Sequence, residues 1–427
     1  MRRTTAITVA CMTAAALTVT ACGRSAENGG TSAGQTGAAV STGKATGTIT
    51  VWAMGAEGDN LPKLTKDFEA ANPGVKIQVT AIPWDAAHDK FTTAITAGKT
   101  PDVAMVGTTW MGEFAGQGAL DPKPASIDSS VFFPGAQKTT EVNGTSYGIP
   151  WYVETRVVFY RKDLAAKAGY DQPPKDWEGL KAMAKAMQTK AGAKWGIGLQ
   201  AGGTGSWQSV FPFAWSNGAQ ITTSDGKGYN FDTPEMLEAV KYYQSFFTDG
   251  ISDKAAPATP TTEPDFVSGK VPMFISGPWE VAGVEKVGGA SFKSKYAVAM
   301  IPARKTSSSF VGGSDFVVFK DSKNRDSAWK FVQFLAQPQT QVQWWQSSTD
   351  LPSVASAWDD QTLKGDDKLA VFGEQLKTAQ APPPFPTWEQ VIAAFDSAME
   401  KITKTGADPA AQLKTVQQQA QSIGTGM

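Results

Sequence analysis

Apolar and polar positions alternate with two different periods along this chain, and the switches between them mark out its elements. Ile49 and Val51 alternate with Thr48 and Thr50 ahead of Trp52, a period of two that predicts a strand. Leu61, Leu64, Phe68 and Ala71 then recur on one helical face. Asn60 stands where a cap would open that helix, and Asn72-Pro73-Gly74 stops it. Val75, Ile77 and Val79 alternate as a second strand, Asp85 opens a helix running to about Ala97, and Asp102-Val103-Ala104-Met105-Val106 reads as a buried third strand. Strand, helix, strand, helix, strand in that order predicts a parallel, doubly wound sheet.

A second α/β set follows Pro150. It comprises a strand over 156–160, a helix near 162–168, and a helix capped by Asp176 whose apolar face is Trp177, Leu180, Met183, Ala184 and Met187. Beyond it lie the aromatic segment 207–215, a helix opening at Thr233-Pro234, and strands over 271–275, 296–301 and 310–319. An amphipathic helix over 324–335 comes next. No internal repeat is visible. No second Gly/Ser-rich linker interrupts the body, so the lobes are expected to be joined by short strand-like crossings.

In a doubly wound sheet, ligands sit outside the carboxyl ends of the strands. Here those are loops 54–59, 82–84 and 107–110, which carry Glu57, Asp59, Trp84, Thr108, Thr109 and Trp110. Polar acceptors interleaved with aromatics suit a sugar, whose hydroxyls donate hydrogen bonds and whose C–H faces stack on rings. The 14 tryptophans of the 427 residues, all beyond position 46, are the compositional outlier; at most half are expected to stack on ligand. Trp52, Trp177, Trp195, Trp329 and Trp358 are assigned to the core. Adjacent Trp344 and Trp345 are expected to divide between core and cleft.

The first residues change where such a body would work. Met1-Arg2-Arg3, the short stretch 6–19 rich in Ala and Thr, and Val19-Thr20-Ala21-Cys22 read as a leader of residues 1–21 cut before a cysteine that takes a lipid. The stretch is too short and too weakly apolar for a spanning helix, which needs about 20 strongly apolar residues. Cys11 leaves with the leader and Cys22 is consumed by lipid, so disulfide, CxxC and zinc chemistry are excluded from the body. Residues 22–46 read as a lipidated, flexible tether, and the location expected is extracytoplasmic, lipid-anchored at the outer face of the cell membrane. Acidic and basic residues stay near balance, 40 against 39, giving no electrostatic footprint for nucleic acid.

Several catalytic patterns fail on inspection. Gly144-Thr145-Ser146-Tyr147-Gly148 fits GxSxG, but Ile149-Pro150 follows where a helix is needed, Asn143-Gly144 is a hairpin signal, and the sole histidine, His88, precedes the serine. Gly98-Lys99-Thr100 lacks the glycine five positions earlier, where Thr93 stands. One histidine builds no paired-His metal site, and His88 is expected at the solvated surface. A carboxylate pair for glycoside hydrolysis remains open, with Glu57, Asp102, Glu154, Glu280 and Asp315 available; Asp102 reads as a turn residue.

Thr100-Pro101-Asp102-Val103, Tyr147-Gly148-Ile149-Pro150-Trp151, Tyr160-Arg161-Lys162-Asp163-Leu164, Ser276-Gly277-Pro278-Trp279 and Gly312-Gly313-Ser314 occur in an order similar to the family 1 extracellular solute-binding proteins, the maltose- and trehalose/maltose-binding group of ABC importers. The resemblance implies an α/β type II periplasmic-binding-protein fold, two doubly wound lobes joined by a three-segment hinge. Residues 47–152 with about 308–352 would form one lobe, and 153–307 with about 353–427 the other. The crossings would lie near 150–155, 302–310 and 350–360, and the cleft would close on ligand. It implies sugar contacts at Glu57, at Thr108 and Thr109, at Glu154 with Arg156, and at Gly277 with Trp279. Where trehalose/maltose binders often carry Asp-Thr, this chain has Glu154-Thr155-Arg156. Trp84, Trp110, Trp151, Trp215, Asp315 and Trp345 complete the candidate set.

The expected partners are an oligosaccharide, ABC permease subunits and, through lipid, a membrane. A monomer without cofactor or metal is expected. The α-glucoside preference rests on the resemblance alone. A β-linked cello-, xylo- or chito-oligosaccharide, a surface-anchored glycosidase and a structural or adhesive envelope lipoprotein remain alternatives.

Overall fold

The computed structural model describes residues 36–255 and 262–427; the leader and Cys22 lie outside them. The first strand, Thr46–Met54, pairs in parallel with Gly74–Ile82 on one side and with Val103–Gly107 on the other. This is the parallel unit that the alternating periods predict. Ser309–Val318 runs antiparallel to Val103–Gly107, and Gly148–Thr155 antiparallel to Ser309–Val318, so that late and early parts of the chain complete one sheet. Thr46–Met54 leads into the helices Gly55–Asn60 and Pro62–Ala71, and the helix Trp84–Ala97 follows the second strand.

Three local expectations change. Residues to 46 are not all tether: Arg325 Nη2 donates to the Ala38 carbonyl, and the Ser41 and Ala45 amides donate to Asp326 and Asn72. Ala45 is fully buried, so the body holds the chain well before its first strand. Asn60 does not cap. Pro62 opens the longer helix instead, and the Asn60 side chain accepts from Lys63 Nζ at 2.8 Å. Asp102 is more than a turn residue, since Oδ2 accepts from the Thr50 amide and hydroxyl and Oδ1 from Ser322 and Asn324. It ties the third strand to the first and to the segment before the helix Arg325–Leu335.

The expected α/β character extends to the second lobe, but its sheet is smaller than a doubly wound one. Val157–Arg161 lies between Met273–Ser276 and Tyr296–Ala299 and runs antiparallel to both. The helix Trp177–Lys190 is capped by Asp176, whose Oδ1 accepts from the Gly179 amide. Pro234–Thr248 is capped by Thr233. Asn143 and Gly144, with φ of 50° and 74°, form the two-residue turn of a hairpin between Glu141–Val142 and Thr145–Ser146. Ser146 is therefore on a strand, not a nucleophile elbow.

The strands of the two sheets meet at Arg156. Its amide donates to Ser309 Oγ, Ser309 Oγ donates to the Arg156 carbonyl, and Thr155 Oγ1 donates to the Phe310 carbonyl. Ala379–Gln380 runs parallel beside Ser309–Phe310. Three stretches of chain thus lie side by side where the sheets join. Separate apolar clusters form on either side, one around Phe91, Trp151 and Trp329, the other around Trp177, Phe211 and Trp388. A third, around Phe159 and Phe372, includes residues of both sheets.

Candidate functional site

Period-two alternation of the strand Gly148–Thr155 decides which of its residues reach the cleft. Trp151, Val153 and Thr155 are buried, whereas Tyr152 and Glu154 are half-buried and, together with Val153, line a cavity of about 270 Å³. Glu57, in the first turn of its helix, enters the same cavity. Its Oε2 accepts from Trp84 Nε1 at 3.3 Å and its Oε1 from the Tyr152 hydroxyl at 3.1 Å. Trp84 and Trp279 each open a helix, and both line the cavity. They are 38 % and 45 % exposed, unusual for rings of this size.

Two glycines seat these rings. A Cβ on Gly277 would stand 2.1 Å from Trp279 Cζ3, and one on Gly55, whose φ is +49°, would stand 2.6 Å from Trp84 Cδ1. Gly55→Ala is therefore expected to swing Trp84 off Glu57 and weaken ligand binding about threefold to tenfold, at a backbone cost of about 1 kcal/mol. Calorimetry with tryptophan fluorescence checks this. An unchanged spectrum with unchanged affinity would show that Gly55 does not seat the ring.

Arg156 sits between cavities. Its Nη1 is 3.3 Å from Glu154 Oε1, its Nη2 donates to Gln208 Oε1 at 2.5 Å, and its guanidinium lies 4.7 Å from the Trp279 ring centre. The absence of a side chain at Gly312 leaves room for Glu154, because a Cβ there would come within 2.9 Å of its Oε1. Arg156, Gln208 and Trp279 also border a cavity of about 520 Å³ in the second lobe. Thr109 and Gln208 border another of about 360 Å³ with Glu389, Asp396 and Glu400. The cleft thus offers aromatic faces, carboxylate acceptors and one guanidinium donor, the inventory that polyhydroxylated ligands use.

Asp350 was not anticipated. It lines the smaller cavity beside Glu57, and burial, then the Glu57 charge, pushes its carboxyl up to about 7. The sign follows from linkage. This acid favours the fold fully below its ordinary value of 3.8, and that contribution is lost as pH rises through about 7. Asp350→Asn is expected to lift Tm progressively over that window and by a constant amount above it. A Tm difference independent of pH would contradict this. Glu280, pushed up to about 7 by burial and then by Glu263, borders the larger cavity and accepts from Ser276 Oγ.

Not every sequence candidate reaches the cleft. Trp151 is fully buried against Phe316 and Trp344, on the opposite face of its strand from Glu154, so the two cannot both face ligand. Trp215 is buried against Phe211 in the helix Trp207–Ser216, every residue of which from Val210 onward is buried. Asp315 is fully buried, accepts from Thr139 at 2.9 Å, and is held well above the carboxylate range by burial. These three belong to the interior.

Trp110 packs edge-on against Trp84 and His88, so it backs a cavity wall rather than forming one. Thr108, half-buried in the short turn Thr108–Trp110, does not line the small cavity, and half-buried Trp345 packs on the third apolar cluster. His88 keeps 35 % of its side chain exposed, with Nε2 2.9 Å from Glu113 and its ring stacked on Phe114. Trp195, assigned to the core, borders the 520 Å³ cavity instead.

Comparison with known proteins bears on this geometry. The family described as bacterial extracellular solute-binding protein matches residues 52–342. A binding protein of Brucella abortus is 31 % identical over 374 residues, covering 86 % of this chain and 90 % of its own. A maltotriose-binding protein of Pyrococcus abyssi is 26 % identical, covering 83 % and 77 %. The solved sugar-binding protein MalE of Xanthomonas citri superposes with a TM-score of 0.83 at 31 % identity, covering 88 % of this chain and 97 % of its own.

Proposed function

Since this chain belongs to the bacterial extracellular solute-binding proteins, sugar-binding components of ABC transporters, we propose that it captures a di- or oligosaccharide of the maltose or trehalose type and delivers it to a permease. The observation that carries this reading is the pairing of two exposed tryptophan faces, Trp84 and Trp279, with the carboxylates of Glu57 and Glu154 around one cavity. Sugar rings would stack on the indoles while their hydroxyls donate to the carboxylates and accept from Arg156. Thr109 and Gln208 would extend contact along the cleft, with Gly277 keeping Trp279 in place. A charged hydrogen bond contributes about 1.5–3 kcal/mol and micromolar capture needs about 8 kcal/mol net, so a few such contacts with one stacked ring suffice.

Closure of the cleft about the three chain stretches beside Arg156 is part of the proposal, as is anchoring through a lipid on Cys22. Titration calorimetry of the soluble body against maltose, trehalose, maltotriose, cellobiose, xylobiose and chitobiose is the test, with chromatography of the sugar afterwards. One-to-one binding with intact sugar is expected. Sugar cleavage would replace capture with glycosidase activity, and absence of heat from every sugar would remove the proposal.

A further inference from the structure

Positive charge is scarce around the smaller cavity. Glu57, Glu154 and Asp350 all line it, and among the described residues that do so none is a cation. The nearest guanidinium, Arg156, is committed elsewhere: to Glu154 at 3.3 Å, to Gln208, and to the rings of Trp279 and Phe310. Glu57 receives only neutral donors, an indole N–H and a phenol. Asp350 Oδ2 is closed off from solvent without a well-formed hydrogen bond among the described residues, and the side chains that lower its carboxyl, Ser348 and Trp344, are neutral. The elements packed around this pair carry Glu57 and Asp59 on the helix Gly55–Asn60, Glu154 on its strand, Asp85, His88, Asp89 and Lys90 on the helix Trp84–Ala97, and Lys63 and Lys66 on the helix Pro62–Ala71, where Lys63 is held by Asn60. The negative field also acts on Tyr152, whose hydroxyl is raised first by burial and then by Glu57 and Asp350.

A neutral sugar hydroxyl can donate one hydrogen bond here, but it brings Glu57 no counter-charge and leaves Asp350 holding its proton, its carboxyl pushed up to about 7 by burial and then by the Glu57 charge. An ammonium group has three donors and a full positive charge, and the indole faces of Trp84 and Trp279 favour a cation beside them. We infer that the captured saccharide carries a protonated amine, seated between Glu57 and Asp350, and is therefore an amino sugar. This rests on the sugar-capture reading and replaces the neutral maltose or trehalose type within it by an aminated sugar.

The test is calorimetry near neutral pH with three disaccharides of one linkage: di-glucosamine, its di-N-acetylated form and cellobiose. Maltose serves as a neutral reference. Di-glucosamine is expected to bind about tenfold or more tighter than both of its neutral counterparts. That advantage should shrink with added salt and collapse in Asp350→Asn and in Glu57→Gln, each checked for folding by thermal unfolding. Equal or tighter binding of the neutral pair overturns the amine assignment, as does an advantage that survives both substitutions. If maltose binds with no gain for the amine, sugar capture stands and the amine inference falls. If no sugar binds at all, both fall.

Discussion

Trp279→Ala is expected to weaken sugar binding by roughly thirtyfold, about 2 kcal/mol, while leaving thermal stability nearly unchanged. The ring is 45 % exposed, so little core packing is lost with it. Its exposed face lies over the cavity that also holds Glu57 and Glu154, and ligand would cover it. Removing it also uncovers the Arg156 guanidinium 4.7 Å away, which then takes up water and pays more desolvation on binding. Trp279→Phe should recover part of the loss, because a smaller flat face remains. Calorimetry on the three proteins with a shared ligand reads the effect. An alanine variant that binds like the parent would mean that the indole is surface cover and that the ligand lies elsewhere in the cleft.

What the sequence discloses and what it conceals divide along a physical line. The early parallel unit is legible because Ile49, Val51, Ile77 and Val79 alternate and because glycine and proline punctuate the turns. These are local signals that burial later enforces. Glu57, Trp84 and Trp279 are also legible, since each sits at a chain turn where a side chain can reach a cleft. Trp151 shows how local reasoning fails. Its phase relative to Glu154 was readable, but only the packing of Phe316 and Trp344 fixes which face is inward.

Asp350 and Gln208 carried no local signal. Each acquires its role from residues far away in sequence: burial by the fold, then Glu57 and Glu154, raises Asp350, and Arg156 donates to Gln208. Asp315 and Trp215 looked like cleft residues because polarity and aromaticity are not evidence of exposure when a neighbouring element covers them. The antiparallel second sheet escaped notice for a similar reason. The direction of strand pairing is set by how intervening helices route the chain, and Val157–Arg161 is apolar enough to suit either arrangement.

Asp396→Ala should produce the largest loss of stability among changes near the cleft, about 3 kcal/mol, together with weakened binding. The residue comes from the helix Trp388–Glu400, yet its carboxylate closes the start of another helix nearly two hundred positions earlier in the chain. Oδ2 accepts from the Gly205 amide at 2.7 Å, and Oδ1 accepts from Ser206 Oγ at 2.8 Å and from the Trp207 amide at 2.9 Å. The loop lies tight on its partner helix, since a Cβ at Gly202 would fall 2.5 Å from Glu400 Cα. Alanine leaves two amides and a hydroxyl without their acceptor in a buried place. It also loosens the turn that aims Gln208 at Arg156.

Burial raises the Asp396 carboxyl despite these donors, so ionising it costs the folded state something that asparagine does not. Asp396→Asn keeps an acceptor and should lose much less stability than alanine, with a flatter dependence of Tm on pH. If asparagine and alanine lower Tm equally, accepted hydrogen bonds are not what the carboxylate contributes. If alanine unfolds the protein more easily but binding at low temperature is intact, the link through Gln208 to Arg156 is absent. Loss of both in alanine, with partial rescue of both in asparagine, is the result expected of an acid that holds the second lobe's cleft loop in place.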